Sequence, residues 1–409
     1  MNKKLLALAV AAAVSAPAVA LADDSTVTLY GTLNMDFENV KADGAAGTGA
    51  NLPSRNRVSQ NSSNIGFRGT EPLGGGLNAI FQLEQGVNID TGATSASAGS
   101  FATRNSNVGL SGGFGTIFFG NWDTPYKSST LPIDAFYATG IAYYADVLSG
   151  DSTPTTSNGA NGFTGPDRRG FDRRQNNSVQ YWTPNLSGFQ GRIAYSANEQ
   201  KANATATTPS VDPKLWSLAG TYANGPLLLT ATYEKHDEYA NTGNSVIGTK
   251  TTSDKGSKLG AQYAFPTGTT VGVIYEQLKY TGNIGATGLP KNLTGPGGLT
   301  AAQVAGANEA KLEAYYVSVR QAFGPSTIRA DFGADRGLKV DGTKISNSKA
   351  ATFAIGYSYS FSKRTDFYAL YTRLKNDDNS RNDFAVNGIG GVANGADPQG
   401  FGVGLRHAF

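Results

Sequence analysis

Two histidines, His236 and His407, and no cysteine are all that these 409 residues offer to imidazole or thiolate chemistry. A Ser–His–Asp triad or a His-rich metal site therefore has little to draw on, and no disulfide framework or thiolate metal site can form. The clusters Gly44, Gly47 and Gly49 lack a following helix, so they do not read as a phosphate loop. What remains is charge. Arg168, Arg169, Arg173 and Arg174 fall within seven residues and repel one another unless acids or anions lie nearby. Asp167 and Asp172 are placed to offset part of that repulsion. Asp134, in LPIDAF, is the best isolated acid, with Asp123 and Asp146 behind it. The chain as a whole is close to neutral, with 34 Lys+Arg against 31 Asp+Glu, which gives no net-charge argument for nucleic-acid binding.

The elements that would position these charges are strands. The final nine residues, FGVGLRHAF, put Phe401, Val403, Leu405, His407 and Phe409 on one face and Gly402, Gly404, Arg406 and Ala408 on the other. A period of two marks a β-strand, and a largely apolar strand at a terminus is an aggregation hazard unless it pairs. Pairing with the first strand, to close a barrel, resolves it. In residues 27–38 the odd positions Val27, Leu29, Gly31, Leu33, Met35 and Phe37 are apolar or small, and the even positions Thr28, Tyr30, Thr32, Asn34, Asp36 and Glu38 are polar. The same parity holds for Ala351 through Phe361, for Leu259 to Phe265 and for Ile328 to Ala334. Stretch 365–376 carries aromatics on both faces and stays unassigned. On the polar side fall Asp36 and Glu38, Gln82 and Glu84, Arg192, and Arg329 with Asp331, which parity turns toward a wet interior.

Short turns and long polar stretches alternate along the chain. The turns are at 71–76, 112–115, 184–188, 224–226, 266–268, 324–326 and 362–364; the long segments are near 39–59, 90–101, 122–172, 199–212, 238–255, 282–308, 337–347 and 377–398. Seven turns join eight hairpins, hence 16 strands of an all-β, transmembrane antiparallel barrel with short periplasmic turns and long extracellular loops. Phe114, Phe189, Tyr222, Phe265, Phe323, Phe361 and Phe409 sit beside the short turns, as an interfacial girdle would. Residues 1–22 read as a secretory signal peptide, with Lys3 and Lys4, an apolar run from Leu5 to Val14 and Ala20-Leu21-Ala22 at the cleavage site. The expected organisation is thus 1–22 signal peptide and 23–409 barrel.

Several stretches together resemble the Gram-negative general porins of β-proteobacteria: VTLYGTLN (27–34), GFRGTEPLGGGLNAIFQLEQG (66–86), NVGLSGGFGTIFFGN (107–121), NNSVQYWTPNLSGF (176–189) and GLRHAF (404–409). The resemblance implies a homotrimer in outer-membrane lipid and lipopolysaccharide, with the third long loop (about 122–172) folded inward to narrow each pore. It implies that terminal Phe409 is an assembly signal read by the barrel-assembly machinery. Carried over residue by residue, it places basic constriction residues of the wall at Arg104 and Arg174 and implies acids on the loop, for which Asp134 and then Asp123 are the candidates; Arg173 joins them from the arginine cluster at the loop's end. Two family positions that are usually basic fall here on Thr32 and Asn64, and a third on Asn121, so the wall is less basic than the family pattern. Thr32, Asn64, Glu84 and Arg192 are the further lumen-facing candidates.

The expected function is passive diffusion of ions and small hydrophilic solutes through a size- and charge-selective constriction, with no cofactor and no metal. An adhesin or receptor working through the long loops is the alternative. A barrel-borne lipase would need a nucleophile near His407, and none is evident in sequence.

Overall fold

The computed structural model describes residues 25–91, 101–149, 170–197, 212–238, 252–282 and 297–409, with 201, 203, 204, 210, 291 and 294 between them. The signal-peptide stretch, Arg168 and Arg169 lie outside the described residues. The chain forms one antiparallel sheet. Its first six segments are β1 (Thr26–Asp43), β2 (Leu52–Gln60), β3 (Asn64–Gly74), β4 (Leu77–Gly86), β5 (Ser106–Gly112) and β6 (Gly115–Asp123). After a long loop come β7 (Arg174–Trp182), β8 (Phe189–Ala197), β9 (Lys214–Asn224), β10 (Leu227–Asp237), β11 (Ser253–Ala264) and β12 (Thr269–Thr281). The rest are β13 (Glu309–Phe323), β14 (Ser326–Asp335), β15 (Lys339–Val340), β16 (Thr343–Lys344), β17 (Ala350–Ser360), β18 (Thr365–Asn376) and β19 (Asp397–Ala408).

These segments make a closed 16-strand barrel. β15 and β16 are only a small hairpin inside a loop, and β2 and β3 occupy one strand position. β3 pairs with the lower half of β1 (Thr26↔Thr70 to Thr32↔Asn64), and β2 with its upper half (Met35↔Gln60 to Ala42↔Leu52). The interruption is at 61–63, where Ser62 has φ +57°. Closure comes from β1 with β19, in register from Thr32↔Ala408 to Asp43↔Asp397. The seven short turns fall where the sequence put them. The first long loop does not: β1 runs on to Asp43 and residues 52–60 are strand, so the expected loop at 39–59 shrinks to 44–51.

Parity decides which side of the wall each residue faces. Val27, Phe37, Leu259, Ile355 and Leu405 are all exposed, and so are most of their large apolar neighbours at alternate positions. In a soluble fold such a surface would be untenable; around a barrel it is the lipid face. The partners at the intervening positions, Asn34, Asp36 and Glu38 among them, are buried on the inside. β18 takes its direction from Tyr368, whose hydroxyl donates inward to Asn34 Oδ1 at 2.9 Å. Ala334 is an exception to the simple alternation, being buried despite its parity.

The buried core of this molecule is not between sheets. It lies between the third long loop and the inner wall. Inward positions of the wall carry glycines where the loop's apolar side chains arrive. A Cβ at Gly260 would lie 2.6 Å from Ile133, and one at Gly272 also 2.6 Å. At Gly333 it would lie 2.7 Å from Val147, at Gly356 2.7 Å from Phe136, and at Gly400 2.6 Å from Ile141. Glycine weakens a strand, so it is tolerated where something approaches closely. We expect Gly356→Val to push Phe136 off the wall at a cost of about 1–3 kcal/mol. Single-channel recordings should then show a noisier open level than the parent; an unaltered trace would mean the loop does not depend on this seat.

Candidate pore constriction

The loop leaves β6 at Asp123 and turns inward through a single helical turn, Pro125–Ser128. Thr124 caps it, its hydroxyl accepting from the Lys127 N–H, and Pro125 pre-sets the first helical position. A 3-10 turn, Leu131–Ile133, follows. The chain then crosses to the far wall. The Ser318 hydroxyl donates to the Ile133 carbonyl at 2.6 Å, and the Ala135 N–H donates to the Tyr316 hydroxyl at 3.1 Å. Arg320 donates to the Pro132 carbonyl at 3.2 Å and Arg329 to the Ala135 carbonyl at 3.0 Å. Further on, Asn34 donates to Thr139, and Asn382 to the Asp146 carbonyl.

Asp134 requires a correction. It was expected to face the gap as the loop's acid, but it is 2% exposed. Its Oδ1 accepts the N–H groups of Phe136 and Ala138, each at 2.8 Å, and its Oδ2 that of Tyr144 at 3.0 Å. The carboxyl folds the loop upon itself. Burial pushes its pKa up to about 6, against the three N–H donors that favour the charged form. Asp146 is fully buried as well, accepting from the Ala385 N–H at 2.8 Å, and burial raises its carboxyl well above the usual range. Neither presents charge to the lumen.

The upper wall holds the other candidates, most of them paired. Arg104 Nε donates to Glu84 at 2.6 Å, and Glu84 also accepts from the Tyr30 hydroxyl at 3.0 Å. Asp123 is met by Arg174 at 3.3 Å and Lys127 at 3.1 Å, while Asn105 bridges, donating to Asp123 at 3.0 Å and accepting from Arg174 at 2.7 Å. Arg104 and Arg174 are thus brought to one patch with Glu84 and Asp123 between them. Arg173 is buried beside them, its carbonyl accepting from the Thr124 N–H at 3.1 Å. Asn121 caps the same region by donating to the carbonyls of Thr103 and Arg104.

Thr32 and Asn64 face one another across β1 and β3, so the two missing basic positions adjoin. Arg192 stands lower on the wall with its guanidinium 4.5 Å from the Trp182 ring and reaches Ser128 of the loop at 3.4 Å. Phe409 exchanges backbone hydrogen bonds with Gly31, at 3.2 and 3.1 Å, and its ring occupies the space a Gly31 Cβ would need.

Sequence reasoning missed a buried ionic knot where the loop returns. Lys258 contacts Asp172 and lies 3.6 Å from Glu276, which accepts from the Tyr126 hydroxyl at 2.7 Å and the Ser149 N–H at 2.5 Å. Phe171 stacks on His236 nearby, and His236 meets Glu234 at 2.7 Å. Their positions on the polar face of β10, β11 and β12 were a readable signal; their partners on the loop were not.

A closed barrel with a polar interior and a loop seated inside its lumen has the architecture of a diffusion channel. A family model described as Gram-negative porin matches residues 7–379, and the chain belongs to that family. It is 32% identical to outer membrane porin protein 32 of Delftia acidovorans over the full length of both chains. It is 30% identical to an outer membrane porin protein of Bordetella pertussis, also end to end. Among solved structures, the anion-selective porin from Comamonas acidovorans aligns with a TM-score of 0.71 at 27% identity, covering 94% of this chain and all of that one. The protein is therefore an integral outer-membrane channel for passive diffusion of ions and small hydrophilic solutes, and not an enzyme.

The geometry separates two roles for Asp134. If it folds the loop, Asp134→Ala strands three backbone donors at about 1–3 kcal/mol each. The variant's open-channel current should become unsteady while its ion selectivity stays as in the parent. A shifted reversal potential with a quiet open level would instead return Asp134 to the pore wall.

Proposed function

We propose that the channel prefers anions, and that its filter is the gap between the third loop and the wall carrying Arg104, Arg174 and Arg192. One observation carries this reading: the described acids of the loop are already engaged. Asp134 and Asp146 are buried in its fold, Asp123 is held between Arg174 and Lys127, and Asp172 lies against Lys258. The loop side of the gap therefore lacks the negative edge that would favour cations, while on the wall Arg192, unlike Arg104 and Arg174, has no carboxylate partner among the described residues. The similar porin from Comamonas acidovorans, described as anion-selective, points the same way. Size exclusion follows from the seating of the loop, and charge bias from what remains around it.

The same reading includes a homotrimer, export by cleavage of residues 1–22, residence among lipopolysaccharide, and delivery by the barrel-assembly machinery through Phe409. The family is generally trimeric, and the terminal aromatic is seated on Gly31 at the closing seam. Conductance steps in threes in a planar bilayer, with a reversal potential displaced toward that of chloride in a KCl gradient, are the expected results. Displacement toward potassium would overturn the anion preference, and a monomer band for the unboiled protein would overturn the trimer.

A further inference from the structure

Below the third loop, toward the periplasmic turns, the lumen holds a second set of charges that the family positions do not include. Arg320 and Arg329 are directly paired across β13 and β14, and both face inward. Arg406, on the inward face of β19, lies in the last turn-proximal stretch of the chain. Two of the three converge on one ring. The Arg329 guanidinium lies 4.4 Å from the centre of Tyr137 and that of Arg406 5.0 Å. Tyr137 is at the apex of the loop, exposed, with φ +64°, and Ala138 after it has φ +53°. Two successive non-glycine residues in the left-handed region cost backbone energy, and here the strain presents an aromatic face to the lumen.

The charge balance of this ledge is lopsided. Arg320 donates only to neutral acceptors, the Pro132 carbonyl and Gln262. So does Arg329, to the Ala135 carbonyl, the Tyr137 hydroxyl and Ser358. Arg406 makes no guanidinium hydrogen bond among the described residues, and its one carboxylate neighbour there is Asp366 at 3.8 Å. Asp331 shares the face of Arg329 but is buried, taking the Tyr316 hydroxyl at 3.1 Å. Three guanidinium charges thus face one partly exposed carboxylate. Arg68, exposed on β3 two strands from β19, and Arg192 on the more distant β8 add further cations, and neither has an ion-pair partner among the described residues.

The geometry points to a second selectivity element: Arg329 and Arg406, gathered around Tyr137 on the loop side, with Arg320 beside Arg329, form a cationic ledge that draws small inorganic anions at the periplasmic end of the pore. The family positions at Thr32 and Asn64 are uncharged here, and the ledge places positive charge beside them, Arg406 pairing with Asn34 across β19 and β1. Arg320 and Arg329 also tie the loop down, so their charge and their seating are inseparable. Arg406 separates them, because it makes no hydrogen bond to the loop and touches it only through the Tyr137 ring. The inference rests on the channel reading above, since a ledge without current has no consequence.

The test uses the full trimer-forming chain in a planar bilayer under a KCl gradient, with folding of each variant checked by heat-modifiable migration on a gel. Arg406→Gln should lower the chloride-to-potassium permeability ratio by about two- to threefold, the scale of one lumen charge in water-like surroundings. Asp366→Asn, which removes the one opposing charge, should raise it by a similar factor. Arg373→Gln, on the outward face of β18, should leave it unmoved. Opposite shifts from Arg406 and Asp366 support the ledge. A working channel in which neither variant moves the ratio overturns the ledge alone; a parent chain that folds and passes no current overturns the channel reading instead.

Discussion

Everything about this pore depends on seating a mostly apolar loop inside a polar tube. A barrel lumen wide enough for water is wide enough to let a long loop wander, and the ordering entropy of a loop that spans 124–173 opposes any fixed position. The molecule meets that cost with two kinds of contact. Glycines on the inward faces of β11, β12, β14, β17 and β19 open seats for Ile133, Val147, Phe136 and Ile141. Between the seats, Ser318, Tyr316, Arg320 and Arg329 bond the loop's backbone groups, which would otherwise be buried without partners. The apolar contacts give attraction without direction; the hydrogen bonds give register.

The ionic groups divide accordingly. Lys258, Asp172 and Glu276 are buried and serve the seam where the loop rejoins the wall, where a lone charge would be intolerable and a paired one fixes geometry. Arg104 with Glu84, and Arg174 with Asp123 and Lys127, lie nearer water and hold each other at the edge of the passage. A permeating ion meets the residual field of these pairs. Asp134 shows why residue type alone does not assign a role: a carboxylate that collects three N–H groups from its own loop is a fold-forming group, whatever it would do in solution.

The barrel was legible because its two solvents alternate along every strand. Lipid on one side and water on the other print a period of two into residues 27–38 and 351–361, and the structure follows it. Where both faces are wet the print fades. Residues 39–43 and 52–60 stand at the polar end of the barrel, so their strand character left no apolar stripe and they read as loop. The site was less legible for a different reason. That Arg104 and Arg174 share a patch could be carried over from a motif. That Asp134 turns inward, that Lys127 reaches Asp123, or that Tyr137 gathers two arginines depends on contacts far apart in the chain. Arg406 carried a weak signal, being the one charge on the glycine side of the last strand.

The seam between Gly31 and Phe409 also sets the order of events. The barrel closes only when β1 pairs with β19, and the two meet through residues far apart in the chain. Until the final aromatic arrives, both border strands present unpaired backbone along their whole length, the condition that invites wrong partners. Non-local pairing of this extent is slow. A newly exported chain must therefore remain held open, with its edges shielded, for as long as the last hairpin is missing.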